Sequence, residues 1–198
     1  MSSMLIAGLL SYLLGSIPNG LWLGKALWHT DLREHGSHNI GATNAWRTLG
    51  KGPGFLIFLL DFLKGFLSVY IASALVGTPL SMVLAAIFAI AGHSASLFMG
   101  FKGGKGVATG LGVLSMLMPQ VTGIVFLIWL VIVKLTGYVS LGSMVAAVCV
   151  PMLAFAFHAP MEYIAFGVAA AVLIVVRHKA NIGRLLNGTE SKIKAGHR

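Results

Sequence analysis

The chain is 198 residues long, 57% hydrophobic and 10% charged, with a net charge of +9. Its mean hydropathy of +0.89 excludes an ordinary soluble domain and fits a single integral membrane domain, residues 1–198, with several spans. So basic a chain raises the question of nucleic acid. Here, however, Lys and Arg sit in short loops between apolar runs, where cytoplasmic-face enrichment or an anionic substrate accounts for them.

A first apolar run covers about 4–24, interrupted in its second half by Gly15, Ser16, Pro18 and Gly20, which predicts a bent or unwound end. It lacks a basic start and a small-residue cleavage site, so it reads as a retained span rather than a signal peptide. Residues 25–53 are the longest polar stretch, carrying Lys25, Asp31, Arg33, Glu34, His35, Arg47 and Lys51. A second span is expected at about 54–76 and a third at about 80–99, joined by the uncharged turn Gly77-Thr78-Pro79. After a basic glycine loop, 107–133 is apolar but split by Pro119. Further apolar runs follow at about 140–157, which contains the lone Cys149, and at about 161–176, before a polar, basic tail from Arg177. With one cysteine there is no intrachain disulfide.

Topology follows by parity. An uncharged N-terminus lies outside and the 25–51 loop inside. Two crossings return the 100–106 loop inside, where its lysines belong. The basic tail is inside only if an even number of crossings follows, so Pro119 must mark a turn between two short spans. Lys134 then falls inside and Glu162 near the outer face. The expected fold is all-α, a polytopic integral membrane bundle of seven transmembrane helices, with two short ones flanking Pro119.

Three polar stretches then share the inner face: Gly36-Ser37-His38-Asn39-Ile40-Gly41-Ala42-Thr43-Asn44 with Arg47; Phe101-Lys102-Gly103-Gly104-Lys105-Gly106; and Arg177-His178 through Asn181, Arg184 and Gly188-Thr189-Glu190. The middle one combines glycines, which let backbone N–H groups turn toward a ligand, with two lysines and the start of an apolar helix. That combination suits an oxyanion, most simply phosphate. It is not a nucleotide P-loop, because Gly106 stands where that motif needs Ser or Thr and Met99 where it needs its first Gly. Topology alone requires Lys and Arg but not Ser-x-Asn or Gly-Thr-Glu, so an anion-handling site is the better reading of all three.

Single residues are less informative. His93 closes the third span, and His178 beside Arg177 is an acid/base candidate because an adjacent cation disfavours its protonation. Asp61 and Lys64, three apart, share a helix face inside the second span, where structural pairing is favoured over catalysis. The histidines are scattered without a carboxylate cluster, so no metal and no other cofactor is expected. No Gly-x-Ser-x-Gly elbow and no His-x4-Asp signature is present.

The chain resembles the bacterial membrane acyl-phosphate:glycerol-3-phosphate acyltransferases. Gly15-Ser16-Ile17-Pro18-x-Gly20 with Gly36-Ser37-x-Asn39-Ile40-Gly41-Ala42-Thr43-Asn44 looks like the first family motif. Gly92-His93 with Phe101-Lys-Gly-Gly-Lys-Gly-Val-Ala-Thr109 looks like the second. Arg177-His178-x-x-Asn181-Ile182-x-Arg184-Leu185-Leu186-x-Gly188-Thr189-Glu190 looks like the third. The resemblance implies a seven-helix, multi-pass enzyme of the bacterial inner membrane with its motif loops at the cytoplasmic side, which agrees with the parity argument that puts the N-terminus outside and the C-terminus cytoplasmic. It also implies the first step of phospholipid synthesis: acyl phosphate plus sn-glycerol 3-phosphate gives 1-acyl-glycerol 3-phosphate and phosphate.

By resemblance, Ser37, Arg47, Lys105, His178 and Asn181 match the family's active-site positions. Asn39, Thr43, Asn44, Lys102, Gly103, Gly104, Gly106, Arg177 and Arg184 are further candidates for binding substrate phosphate. Expected partners are acyl phosphate, glycerol 3-phosphate and the bilayer, with the soluble enzyme that makes acyl phosphate as a further candidate and no nucleic acid. Two positions depart from the family pattern: His38 stands where Gly is usual, and Ser94-Ala95-Ser96 follows Gly92-His93 in place of an apolar-aromatic-Pro turn. The competing reading, a small transporter or channel for an anionic metabolite, predicts polar groups at mid-depth and a repeat. Only Asp61 and Lys64 lie deep, and no repeat is found.

Overall fold

A computed structural model describes residues 2–193; Met1 and 194–198, and with them the expected positions of the two chain ends, lie outside the described residues. The described residues form ten α-helices and no strand. α1 (Ser2–Ser16) and α2 (Asn19–Trp28) together make the first apolar segment, α3 is Ala42–Thr48, and α4 is Lys51–Leu75. α5 (Pro79–Ser94) leads to a short 3-10 turn, Leu97–Met99; α6 is Val107–Leu117, α7 Pro119–Thr136 and α8 Val139–Ala156. α9 (Met161–Arg177) is followed by α10 (Lys179–Leu186), turned by 57°.

The first segment breaks at Ile17-Pro18, because proline supplies no backbone donor. The break is held from α4: Lys64 Nζ donates to Ile17 O at 2.8 Å and pairs with Asp61 Oδ1 at 2.9 Å. Asp61 Oδ1 also accepts from Asn19 Nδ2 at 2.9 Å. The Asp61–Lys64 pair therefore stabilises an interrupted helix, the structural role its spacing suggested.

The Pro119 split is present: Met118 leaves helical geometry (φ −144°) and Pro119 opens α7. Only one flank is short, however. α7 has 18 residues and α6 has 11, and the other short apolar helix is α5 with 16. At about 16 Å long, α6 falls short of a ~30 Å hydrocarbon core and relies on protein neighbours. It lies backbone to backbone on α4, where a Cβ on Gly65 would overlap the Thr109 carbonyl and one on Gly112 the Phe62 carbonyl. Four segments are long and apolar enough to cross a membrane alone; α5 and α6 are shorter, and α9 with α10 forms a bent pair. These give seven apolar segments in a helical membrane bundle.

Three details differ from the expected elements. α5 stops at Ser94, not 99, because Ser96 turns inward: its Oγ donates to Ser16 O at 2.5 Å and its N–H to Lys102 O at 3.1 Å. The polar stretch 25–53 contains α3. His38 adopts a left-handed φ of +56°, which explains why glycine suits that position. Its ring is exposed, and Nδ1–H donates to Arg33 O at 2.9 Å. His38→Gly relieves about 1–2 kcal/mol of backbone strain and loses a hydrogen bond worth about 1 kcal/mol. The expected outcome is a melting temperature in detergent close to that of the parent, whereas a drop of several degrees would show that the ring's hydrogen bond outweighs the strain.

Candidate active site

Residues from all three polar stretches meet at one end of the bundle. The loop before α3 brings Ser37 and Asn39, and α3 itself brings Thr43 and Arg47. The loop before α6 brings Lys105, the α9–α10 junction His178, α10 itself Asn181, and the segment after α10 Glu190. All border one cavity of about 410 Å³. Away from these residues its walls are mostly apolar side chains of α6, α7, α8 and α9, but the buried Asp61 of α4 and His93 of α5 also border it.

The polar mouth is organised by Glu190, which is 7% exposed. Its Oε1 accepts from Ser140 Oγ and Asn181 Nδ2, both at 2.7 Å, and its Oε2 from Arg184 Nε at 2.7 Å. With its amide nitrogen committed to Glu190, Asn181 turns its Oδ1 to Lys105 Nζ, 2.5 Å away. Burial raises the Glu190 carboxyl, and the hydrogen bonds from Ser140, Asn181 and Arg184 outweigh that, leaving its pKa below the usual value. Lys105 moves the other way: burial, with Arg184, Arg47 and Arg177 nearby, lowers its ammonium to about 8 against the opposing pull of Glu190.

Arg47 Nη2 donates to Ser191 O at 2.5 Å. Its Nε is buried without a partner among the described residues, an orphaned donor beside the cavity that an anion would satisfy. His178 is 3% exposed and its Nδ1–H donates to Ile174 O at 2.7 Å. That bond leaves Nε2 as the unprotonated nitrogen of the neutral ring. Its pKa is lowered chiefly by burial and by Lys105, partly offset by the Ile174 hydrogen bond and Glu190. Arg177, the cation the sequence reading invoked, points elsewhere.

The glycine loop is used differently from the backbone cradle anticipated over 103–106. Arg177 Nη2 donates to Gly104 O at 2.7 Å, Ser94 O at 3.1 Å and Gly103 O at 3.4 Å. Gly104 N–H donates to His93 O at 3.1 Å, and a Cβ on Gly104 would overlap the His93 ring. Gly103 and Gly104 thus serve packing, Arg177 clamps their carbonyls, Lys102 is exposed, and none of these four borders the cavity. Gly106, with φ of +79°, caps α6 and does border it, together with Val107 and Ala108 at the start of that helix. Arg184 acts through its ion pair with Glu190.

Asn44 borders the cavity but spends its side chain on the loop. Oδ1 accepts from Ser37 N at 2.9 Å, and Nδ2 lies 2.9–3.1 Å from the carbonyls of Leu32, His35 and Asn39. Asn39 Oδ1 accepts from Gly41 N at 2.8 Å. Ser140, and the role of Glu190 as the clamp, were missed by sequence reasoning. The signal for Glu190 was its place in Gly188-Thr189-Glu190, which marked the stretch as functional without showing what the acid does. Among the described residues, no group of three or more His, Cys, Asp or Glu side chains could hold a metal ion.

Fold and site thus define a membrane-embedded helical protein whose cationic mouth opens on an apolar cavity. The family model described as glycerol-3-phosphate acyltransferase matches residues 5–188, and the chain belongs to that family. Curated relatives named glycerol-3-phosphate acyltransferase include one from Syntrophomonas wolfei, 47% identical over 184 residues (93% of this chain, 94% of that one). Another, from a Synechococcus species, is 47% identical over 191 residues (96% and 94%). Among solved structures, the chain is similar to PlsY, described as an integral membrane glycerol 3-phosphate acyltransferase. Its glycerol 3-phosphate form superposes with a TM-score of 0.92 at 42% identity, covering 96% of this chain and 95% of that one. Its lysophosphatidic acid form gives 0.88 at 40% identity, with the same coverage.

Proposed function

We propose that this chain transfers an acyl group from acyl phosphate to sn-glycerol 3-phosphate, releasing 1-acyl-glycerol 3-phosphate and inorganic phosphate. The observation that carries this reading is the continuity of a cationic mouth with an apolar interior in one cavity. Each substrate has one phosphate, and acyl phosphate also has a hydrocarbon tail, so charge and apolar surface are both required. The solved relative, described in glycerol 3-phosphate and lysophosphatidic acid forms, supports the same pairing of polar acceptor and acylated product.

Acyl phosphate is a mixed anhydride, so phosphate leaves readily and no covalent enzyme intermediate is needed. In this reading Lys105, with the N–H groups that begin α6, stabilises charge on a substrate phosphate. Arg47, through its unpartnered Nε, holds the second. Ser37, Asn39 and Thr43 orient the acceptor. Asn181 positions Lys105, and its carboxamide lies beside the reacting carbonyl. The hydroxyl of glycerol 3-phosphate attacks that carbonyl; its proton passes to His178 Nε2 or to the departing phosphate. The acyl chain lies among α6, α7, α8 and α9. The protein sits in the bacterial inner membrane with the mouth and the motif loops cytoplasmic, as the Lys and Arg distribution favours. Acyl phosphate reaches it from the soluble enzyme that makes it.

The test is turnover by purified protein in detergent with glycerol 3-phosphate, supplied with palmitoyl phosphate or palmitoyl-CoA, reading released phosphate and acylated product. Turnover is expected with palmitoyl phosphate and none with palmitoyl-CoA alone. The opposite pattern would overturn the choice of donor, and no product from either would overturn the acyl-transfer reading.

A further inference from the structure

At the end away from Lys105 and Arg47 the cavity is lined by apolar side chains. Along α8 its lining residues recur at helical spacing, as Val139, Ser143, Ala146 and Val150. At roughly 1.5 Å per residue, one face of α8 borders it for about 16 Å. Its far end is walled by Leu114 of α6, Val125 of α7, Val150 of α8 and Phe166 of α9. One turn further along the same helices stand Leu117, Val121, Ala154 and Tyr163. All four are buried in the main hydrophobic core, and none borders the cavity. Beyond them a second cavity of about 330 Å³ is lined by Leu117, Val121 and Tyr163 from the opposite side. Between the two cavities there is therefore a wall one helical turn thick, built by four helices.

We propose that this wall, with Phe166 and Val150 as its face toward the substrate, sets the longest acyl chain the enzyme accepts. The proposal rests on the acyl-transfer reading above. Val125, Val150 and Phe166 are almost fully buried, so a chain longer than the cavity must displace packed side chains, which a dense interior resists. A shorter chain leaves the wall uncontacted and forfeits apolar burial. Phe166 is the largest residue at the floor, so its truncation deepens the cavity toward the second one. Ala147, a small lining residue one turn above Val150, is where added volume raises the floor.

The experiment is a competition. Purified protein in detergent receives glycerol 3-phosphate and an equimolar mixture of dodecanoyl, tetradecanoyl, hexadecanoyl and octadecanoyl phosphates, and the products are counted by mass spectrometry. Relative to the parent, Phe166→Ala should shift the longest-to-shortest product ratio upward by about tenfold, and Ala147→Leu should shift it downward by a similar factor. A parent that makes no acyl-glycerol phosphate from any donor removes the underlying reading. A parent that makes product while both variants keep its distribution overturns the wall as the ruler. Should Phe166→Ala not fold, Ala147→Leu decides alone, and an unchanged distribution in that variant overturns the proposal.

Discussion

Glu190→Ala should leave a protein that melts markedly lower and turns over about 10²-fold more slowly, although Glu190 is not assigned to either substrate. The carboxylate accepts from Ser140, Asn181 and Arg184. Removing it strands a buried amide donor and leaves Arg184 without its partner. Breaking a buried ion pair from one side costs about 3–5 kcal/mol. The cost here falls below that range, because the charge left behind, Arg184, is 38% exposed and partly solvated, while the stranded Asn181 amide adds about 1–3 kcal/mol. The activity loss has a separate cause. Asn181 is oriented by Glu190, and its Oδ1 in turn holds Lys105 Nζ. Displacing a charge-stabilising group by about 1 Å can cost about 10² in rate.

Two further variants separate these effects. Ser140→Ala removes one hydrogen bond, worth about 1 kcal/mol, and leaves Asn181 clamped, so its activity should stay near the parent's. Glu190→Gln keeps an acceptor for Ser140 and Asn181 but sets an amide NH₂ against Arg184, so it should fall between parent and alanine in both measurements. Thermal melting in detergent and steady-state kinetics with palmitoyl phosphate check all three. The pH dependence has a definite sign. The folded-state pKa of Glu190 lies below its ordinary value of 4.5, so its contribution is fully present above that value and is lost as pH falls below it. A Glu190→Ala protein with parental melting temperature and activity would show that the clamp organises nothing.

The parts of this arrangement legible in the sequence were those set by local chemistry. Proline at 18 and 119 marked two of the helix breaks, because the missing N–H acts within one turn, whereas no proline announced the turn between α9 and α10 at His178. Charge parity placed the polar stretches on one face, and the structure brings Ser37, Arg47, Lys105, His178 and Asn181 to one cavity. What could not be read depended on distant partners. Gly103 and Gly104 look like a phosphate cradle until Arg177, 73 positions from Gly104, is seen to hold their carbonyls. The early end of α5 is set by Ser96 reaching back to Ser16. The role of Glu190 required Ser140, 50 positions earlier, to fold beside it. Arg177 was expected to keep His178 neutral through adjacency, whereas burial of the ring is the larger cause.

Lys105→Ala should lower kcat by about 10²–10³, the usual cost of losing one donor aimed at developing charge, without a drop in melting temperature. If the ammonium acts on charge that builds on the departing phosphate, the loss appears in kcat and not only in KM. Stability should hold because burial and three neighbouring arginines already oppose the charged form, so removing the ammonium relieves a cost that offsets the lost Asn181 bond. The same environment predicts a pH signature. With a free-enzyme pKa of about 8, the charged form is present below that value and lost above it. kcat/KM should therefore decline as pH rises through 8. Lys105→Arg keeps a charge that does not titrate there, so its residual activity should lack that falling limb, while the planar fork in a site shaped for a compact ammonium lowers the rate. Lys102→Ala, at an exposed position off the cavity, should change little, and most of that change should vanish at high salt. Four pH–rate profiles measured with palmitoyl phosphate decide the assignment. Near-normal kinetics in Lys105→Ala with an inactive Lys102→Ala would reverse it, and a falling limb that persists in Lys105→Arg would move the titration to another group.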